Sequence, residues 1–150
     1  MKPLVVLILT TIIATFATRF IHGSYDFPLS ARIGMTAMLL FTAMGHFMFT
    51  DGMALMIPDF IPFKKEVVYL TAIIEICAAI GLLVPAFRVV TGWLLILFFL
   101  LILPANIKAA IEHLDYQKAT FDGSGLAYLW FRVPLQLLFI AWVYFSAIRY

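Results

Sequence analysis

Five polar side chains stand inside long apolar stretches of this sequence: His46, Glu75, Asn106, Arg132 and Gln136. Glu75 and Arg132 are an acid and a base that can pair, and His46, Asn106 and Gln136 offer orientable hydrogen bonds. Such a set suits a quinone or another lipophilic carbonyl compound. Its oxygens need donors such as Arg132 or His46, and its reduction needs protons that His46 or Glu75 can relay. A central Asp, Lys or Arg in a membrane span costs about 2.5–3.5 kcal/mol on an insertion scale, so each ionisable group there needs a reason. Blander readings exist for four of the five. His46 and Asn106 also fit interfacial or capping positions, Arg132 fits a snorkelling base, and Gln136 fits interhelical glue. Glu75 is the deepest acid in the chain, and Ala72, Ala78 and Ala79 beside it would let another helix approach closely.

The elements that must position these residues are read from composition and hydropathy. Of 150 residues, 65% are hydrophobic and only 12% are charged, which leaves too few polar groups to cover a water-soluble surface. The lipid bilayer covers it instead. Windows of roughly 20 apolar residues ended by charges or turn residues give five predicted transmembrane helices. They run over Pro3–Ile21, Ala31–Phe49, Val67–Val84, Val89–Ala110 and Leu126–Ile148. The fold class is thus all-α, a transmembrane helix bundle. Lys2 ahead of the first apolar run also permits a secretory signal peptide cut near Thr15 and Ala17, but that run is long for a signal core and retention is expected. Consecutive spans reverse direction, so the end of the second, the start of the third, the end of the fourth and the start of the fifth share one side. All five polar residues lie toward that side, whichever way up the chain inserts.

Pro104 and Pro134 stand beside the same cluster, and each deletes a backbone donor and frees a carbonyl one turn earlier, at Leu100 and Trp130. They read as helix breaks lining a site or as packing kinks. The segment Met53–Phe63 is apolar but too short to cross, and Pro58 and Pro62 break it, so it is expected to lie in the interface. The polar loop Glu112–Gly125 shows no ligand spacing.

Several chemistries are set aside. The net charge of +2 and scattered basic residues do not make a nucleic-acid surface. One cysteine, Cys77, allows neither an internal disulfide nor a dithiol centre. Haem ligation by two histidines of one chain is not expected, since His22 falls at the opposite face and His113 in a loop; Glu112, His113 and Asp115 make no stronger metal site. Basic residues near span ends divide six to four: Lys2, Lys64, Lys65, Lys108, Lys118 and Arg132 against Arg19, Arg32, Arg88 and Arg149. That bias places the N-terminus inside the cell.

The ordered motifs Gly45-His46-Phe47, Ile57-Pro58-Asp59-Phe60-Ile61-Pro62, Glu75-Ile76, Gly81-Leu82-Leu83-Val84-Pro85, Pro104-Ala105-Asn106-Ile107 and Arg132-Val133-Pro134-Leu135-Gln136 resemble the DoxX-like family of small bacterial membrane proteins. The resemblance spans roughly Arg32–Tyr144. It implies a four-helix core made of the second to fifth spans (31–150), with the first span (1–30) as an extra helix, and a place in the bacterial inner membrane. Some DoxX-like proteins are subunits of sulfur or oxidative-stress redox systems, including thiosulfate oxidation coupled to quinone, and distant relatives resemble receptor-assembly chaperones. Two functions stay open on that basis: a pocket for a quinone-like ligand in a subunit of a membrane redox system, or a non-catalytic assembly factor whose Glu75/Arg132 cluster only fixes the bundle. A small transporter or channel ranks below both, because no polar stripe continues to the other side. With no redox centre of its own in the sequence, the chain would need a redox partner subunit; a homo-oligomer is also left open.

Overall fold

The computed structural model describes residues 2–150, and over these the chain is helical with no strand. The helices are α1 (Lys2–His22), α2 (Phe27–Met48), α3 (Thr50–Met56), α4 (Lys64–Leu83), α5 (Arg88–Ile111) and α6 (Ala127–Val143), the last continued by a π-helical turn over Tyr144–Ile148. Five of them, all but α3, are long and apolar enough to cross a membrane, and at most 33% of any such window is buried within the protein. Their outer faces carry side chains such as Ile13 at 68% and Leu101 at 67% exposure. Water would not tolerate that surface, which makes this a membrane protein.

Helix boundaries follow local chemistry. At the end of α1, Gly23 takes the left-handed conformation (φ 74°) and its N–H bonds back to the Arg19 carbonyl. Asp26 then caps α2, its carboxylate accepting from the Leu29 N–H at 2.9 Å. The helix therefore begins at Phe27, four residues before the expected Ala31, because Pro28 in a first turn removes only a donor that has no helical partner. Likewise α4 begins at Lys64 rather than Val67: charged residues form its first turn and reach to the surface.

Alternate helices point in opposite directions and give the bundle two ends. One, the lysine end, gathers Lys64, Lys65, Lys108 and Lys118; the other, the arginine end, gathers Arg19, Arg32, Arg88 and Arg149. Around the core, α2 packs along α1 and α4, α5 along α4 and α6, and the π-helical turn closes against α2 and α5. Leu7, Met35, Leu39, Leu82, Leu95 and Val143 are fully buried at the centre. Leu7 draws α1 into the same core as the other four spans. A Cβ at Gly34 would collide with the Thr11 hydroxyl and the Leu7 carbonyl, so this glycine lets α1 and α2 approach closely.

The lysine end is closed by the short apolar segment expected there, but its helix starts earlier than Met53. Thr50-Asp51-Gly52 reads as a helix stop but forms the start of α3, a short helix laid across the end of the bundle. Gly52 is there because the backbone of the 112–126 loop lands on it, where any Cβ would run into the Tyr116 carbonyl. Ala54 and Ile57 pack with Val68 of α4 in a second small core.

Candidate functional site

Glu75 projects from the eleventh position after the start of α4, roughly 16 Å along the helix at about 1.5 Å per residue, near the middle of a span. It is buried, at 5% exposure. Its neighbour is His46, near the end of α2, whose Nδ1 lies 3.7 Å from Glu75 Oε2. That distance is too long for a hydrogen bond, and both atoms are buried without any hydrogen-bond partner. Thr42, one turn before His46 on the same face of α2, is the other polar group next to the carboxylate; its hydroxyl donates to the Leu39 carbonyl at 3.0 Å.

Arg132 does not pair with Glu75. Its charge reaches Glu75 only at longer range, and among the described residues it has no carboxylate within 4.0 Å. Instead Arg132 Nε donates to Asn106 Oδ1 at 3.2 Å, and Asn106 Nδ2 donates to the Ile102 carbonyl at 3.2 Å. The reason is helix adjacency. Glu75 sits on α4, which packs along α2, whereas Arg132 sits on α6, which packs along α5. The polar set therefore divides in two: His46 and Glu75 on one side, Asn106, Arg132 and Gln136 on the other.

Gln136 is buried and donates through Nε2 to the Phe99 carbonyl at 2.6 Å. Helices α5 and α6 run on through Pro104 and Pro134. The carbonyl that accepts from Gln136 is that of Phe99, the neighbour of Leu100, whose helical donor Pro104 removes. Two cavities lie near this end. One of about 220 Å³ is lined by Met56, Leu114, Asp115, Tyr116 and Tyr128 under the loop; the other, about 440 Å³, is a lipid-facing groove along Leu126, Trp130 and Pro134. Neither is lined by Glu75 or His46. No group of three or more His, Cys, Asp or Glu side chains able to hold a metal occurs among the described residues.

Below this cluster, Asp59 in the turn after α3 binds Lys64 Nζ at 2.7 Å and Lys108 Nζ at 2.9 Å, tying the start of α4 to the end of α5. Lys108 also donates to the Ile57 carbonyl at 2.9 Å. These bonds from Lys64, then Lys108, hold the Asp59 carboxyl down to about 2 from its ordinary 3.8. The stretch from Met35 through all of these residues to Ala147 matches a family described as a domain of unknown function, DUF8561, over residues 35–147. The chain belongs to the DUF8561 family. No curated protein and no solved structure matches it. The DUF8561 match begins within α2, so both halves of the polar cluster fall inside it and α1 does not.

Sequence reasoning missed Thr42, Phe99 and Asp59. Thr42 was within reach of it, because its i to i+4 spacing from His46 puts both on one face of α2. Phe99 was not, because a backbone acceptor carries no mark in the side-chain sequence.

Proposed function

We propose that this protein binds a small lipophilic carbonyl compound, of the quinone class, within the membrane and supplies or removes protons at it through Glu75 and His46. The observation that carries this reading is the pair of buried atoms, Glu75 Oε2 and His46 Nδ1, 3.7 Å apart and without hydrogen-bond partners. Buried polar groups are nearly always satisfied, and an unsatisfied pair of an acid and an imidazole is a place where a ligand oxygen or a proton would be held. Reducing a quinone to a quinol takes two electrons and two protons. The protons would pass through this pair; the electrons would come from a redox partner subunit, in keeping with the DoxX-like resemblance. We place the protein in the bacterial inner membrane, with its N-terminus and the lysine end facing the cytoplasm.

A second reading, an assembly factor whose polar groups only fix the helices, draws support from the other half of the cluster. Arg132 Nε donates to Asn106 and Gln136 Nε2 to the Phe99 carbonyl, two side-chain bonds from α6 to α5 of the kind an interhelical clamp makes. The Glu75→Gln variant separates the two readings, because it keeps size and an acceptor oxygen but removes the titrating group. Native mass spectrometry of co-purifying lipids and quinones is compared with thermal stability in detergent. A folded variant that has lost a molecule carried by the wild type supports the site. If the wild type carries none and Glu75→Gln melts early, the clamp reading replaces it.

A further inference from the structure

At the arginine end, far from Glu75, we propose a second site, in which Arg32 and Arg88 bind the phosphate of an anionic phospholipid headgroup. The two guanidiniums come from different helices, Arg32 from the second turn of α2 and Arg88 from the first residue of α5, and lie within Coulombic reach of each other. Like charges brought together need a reason. No carboxylate lies within 4.0 Å of either among the described residues, and Asp26, the acid whose charge reaches Arg32, already spends Oδ1 on capping α2.

The arrangement is built rather than incidental. Arg32 Nη1 donates to the Ser146 carbonyl at 3.0 Å, inside the π-helical turn that ends α6, and this turn packs against both α2 and α5. Gly92, one turn after Arg88, is the place where Ala147 and Ile148 of that turn press on α5. Arg88 Nε is buried and has no hydrogen-bond partner. Only partly buried and with its Nε unpartnered, the Arg88 guanidinium beside that of Arg32 offers the outer N–H groups that a tetrahedral phosphate takes up in bidentate fashion. The first turn of α5 has no side-chain cap, so its dipole adds potential of the same sign. In a membrane end face the abundant phosphate is that of a lipid, which also brings acyl chains to the exposed apolar flanks Phe87 and Val90.

The test uses the full-length protein, delipidated in detergent, with phosphatidylglycerol, phosphatidylcholine and inorganic phosphate as separate probes. Binding is read by native mass spectrometry and by thermal shift. Wild type should retain phosphatidylglycerol over phosphatidylcholine, and Arg88→Gln should lower that preference at least about tenfold, the equivalent of about 1.4 kcal/mol and in line with losing a hydrogen bond to a charged group. Arg88→Lys should restore only part of it, because an ammonium keeps the charge and loses the fork. Arg149→Gln makes the same change in net charge at the same end and should lower the preference by no more than the smaller, general share of one surface charge. Stabilisation by inorganic phosphate with the same dependence on Arg88 would keep the site and make its occupant a free phosphate. Equal losses from Arg88→Gln and Arg149→Gln would overturn the proposal, because they mean face charge and no site; so would an unaltered preference in Arg88→Gln, whose folding the thermal shift reports.

Discussion

At the lysine end Asp51, Asp59, Glu112 and Asp115 each hold a lysine within 4.0 Å, whereas at the arginine end none of the four arginines meets a carboxylate among the described residues. Three of them use other acceptors: Arg19 takes the Gly23 carbonyl and faces the Tyr25 ring, Arg32 takes Ser146, and Arg149 lies 5.6 Å from the Phe145 and Tyr150 ring centroids. Lysine is a point charge that an aspartate neutralises, while arginine spreads its donors over carbonyls and rings and keeps its charge available. One end is thereby closed on itself by ion pairs, a short helix and a folded loop. The other presents positive potential to the headgroups.

The largest difference between the ends should appear at glycines. At Gly52 a Cβ meets the Tyr116 backbone, which belongs to a loop pinned by its own turns, whereas at Gly81 a Cβ meets the side chain of Thr91. Both substitutions to alanine gain the same helix propensity, so the contrast isolates the clash. Gly52→Ala should destabilise by about 1–3 kcal/mol and Gly81→Ala by much less. Thermal melts of the two purified variants compare them directly; equal melting temperatures would mean that the loop does not seat on α3.

A smaller effect sharpens the division inside the bundle. In double-mutant cycles, His46→Gln with Glu75→Gln should couple by about 0.5–3 kcal/mol, as groups in contact do. Glu75→Gln with Arg132→Gln should add to within about 0.5 kcal/mol, since Arg132 bonds Asn106 and lies beyond 4.0 Å from Glu75. A stronger coupling to Arg132 than to His46 would restore the pairing expected from sequence.

The five spans were legible because a bilayer demands roughly 20 apolar residues whatever the tertiary fold, and only their ends shifted, toward caps and snorkelling lysines. The clustering of His46, Glu75, Asn106, Arg132 and Gln136 toward one end was legible for the same reason, since it needs only alternating directions. Partner choice was not. Whether Glu75 meets His46 or Arg132 depends on which helices are neighbours around the bundle, and periodicity carries no record of that order. The start of α3 escaped because Asp51-Gly52 is a stop signal locally, and only the distant Tyr116 backbone explains the glycine.

The gentlest test concerns the ion pairs that close the lysine end. Lys64 and then Lys108 hold the Asp59 carboxyl at about 2, below its ordinary 3.8, so Asp59 is ionised more readily in the folded protein than in the unfolded chain. A carboxyl depressed by folding contributes stability that is fully present above 3.8 and is lost as pH falls through about 2. Asp59 is solvent-exposed, so water and salt screen the contribution and it should be small. Asp59→Asn should therefore melt slightly below wild type at neutral pH, and the gap should narrow on acidification below 3.8 and vanish once the pH is below about 2, where the wild-type carboxyl is itself protonated. Added salt should narrow the gap at neutral pH in the same direction. Parallel melting curves from neutral to acid pH, with a constant offset between the two proteins, would mean that Asp59 acts through the shape of its turn and not through its charge.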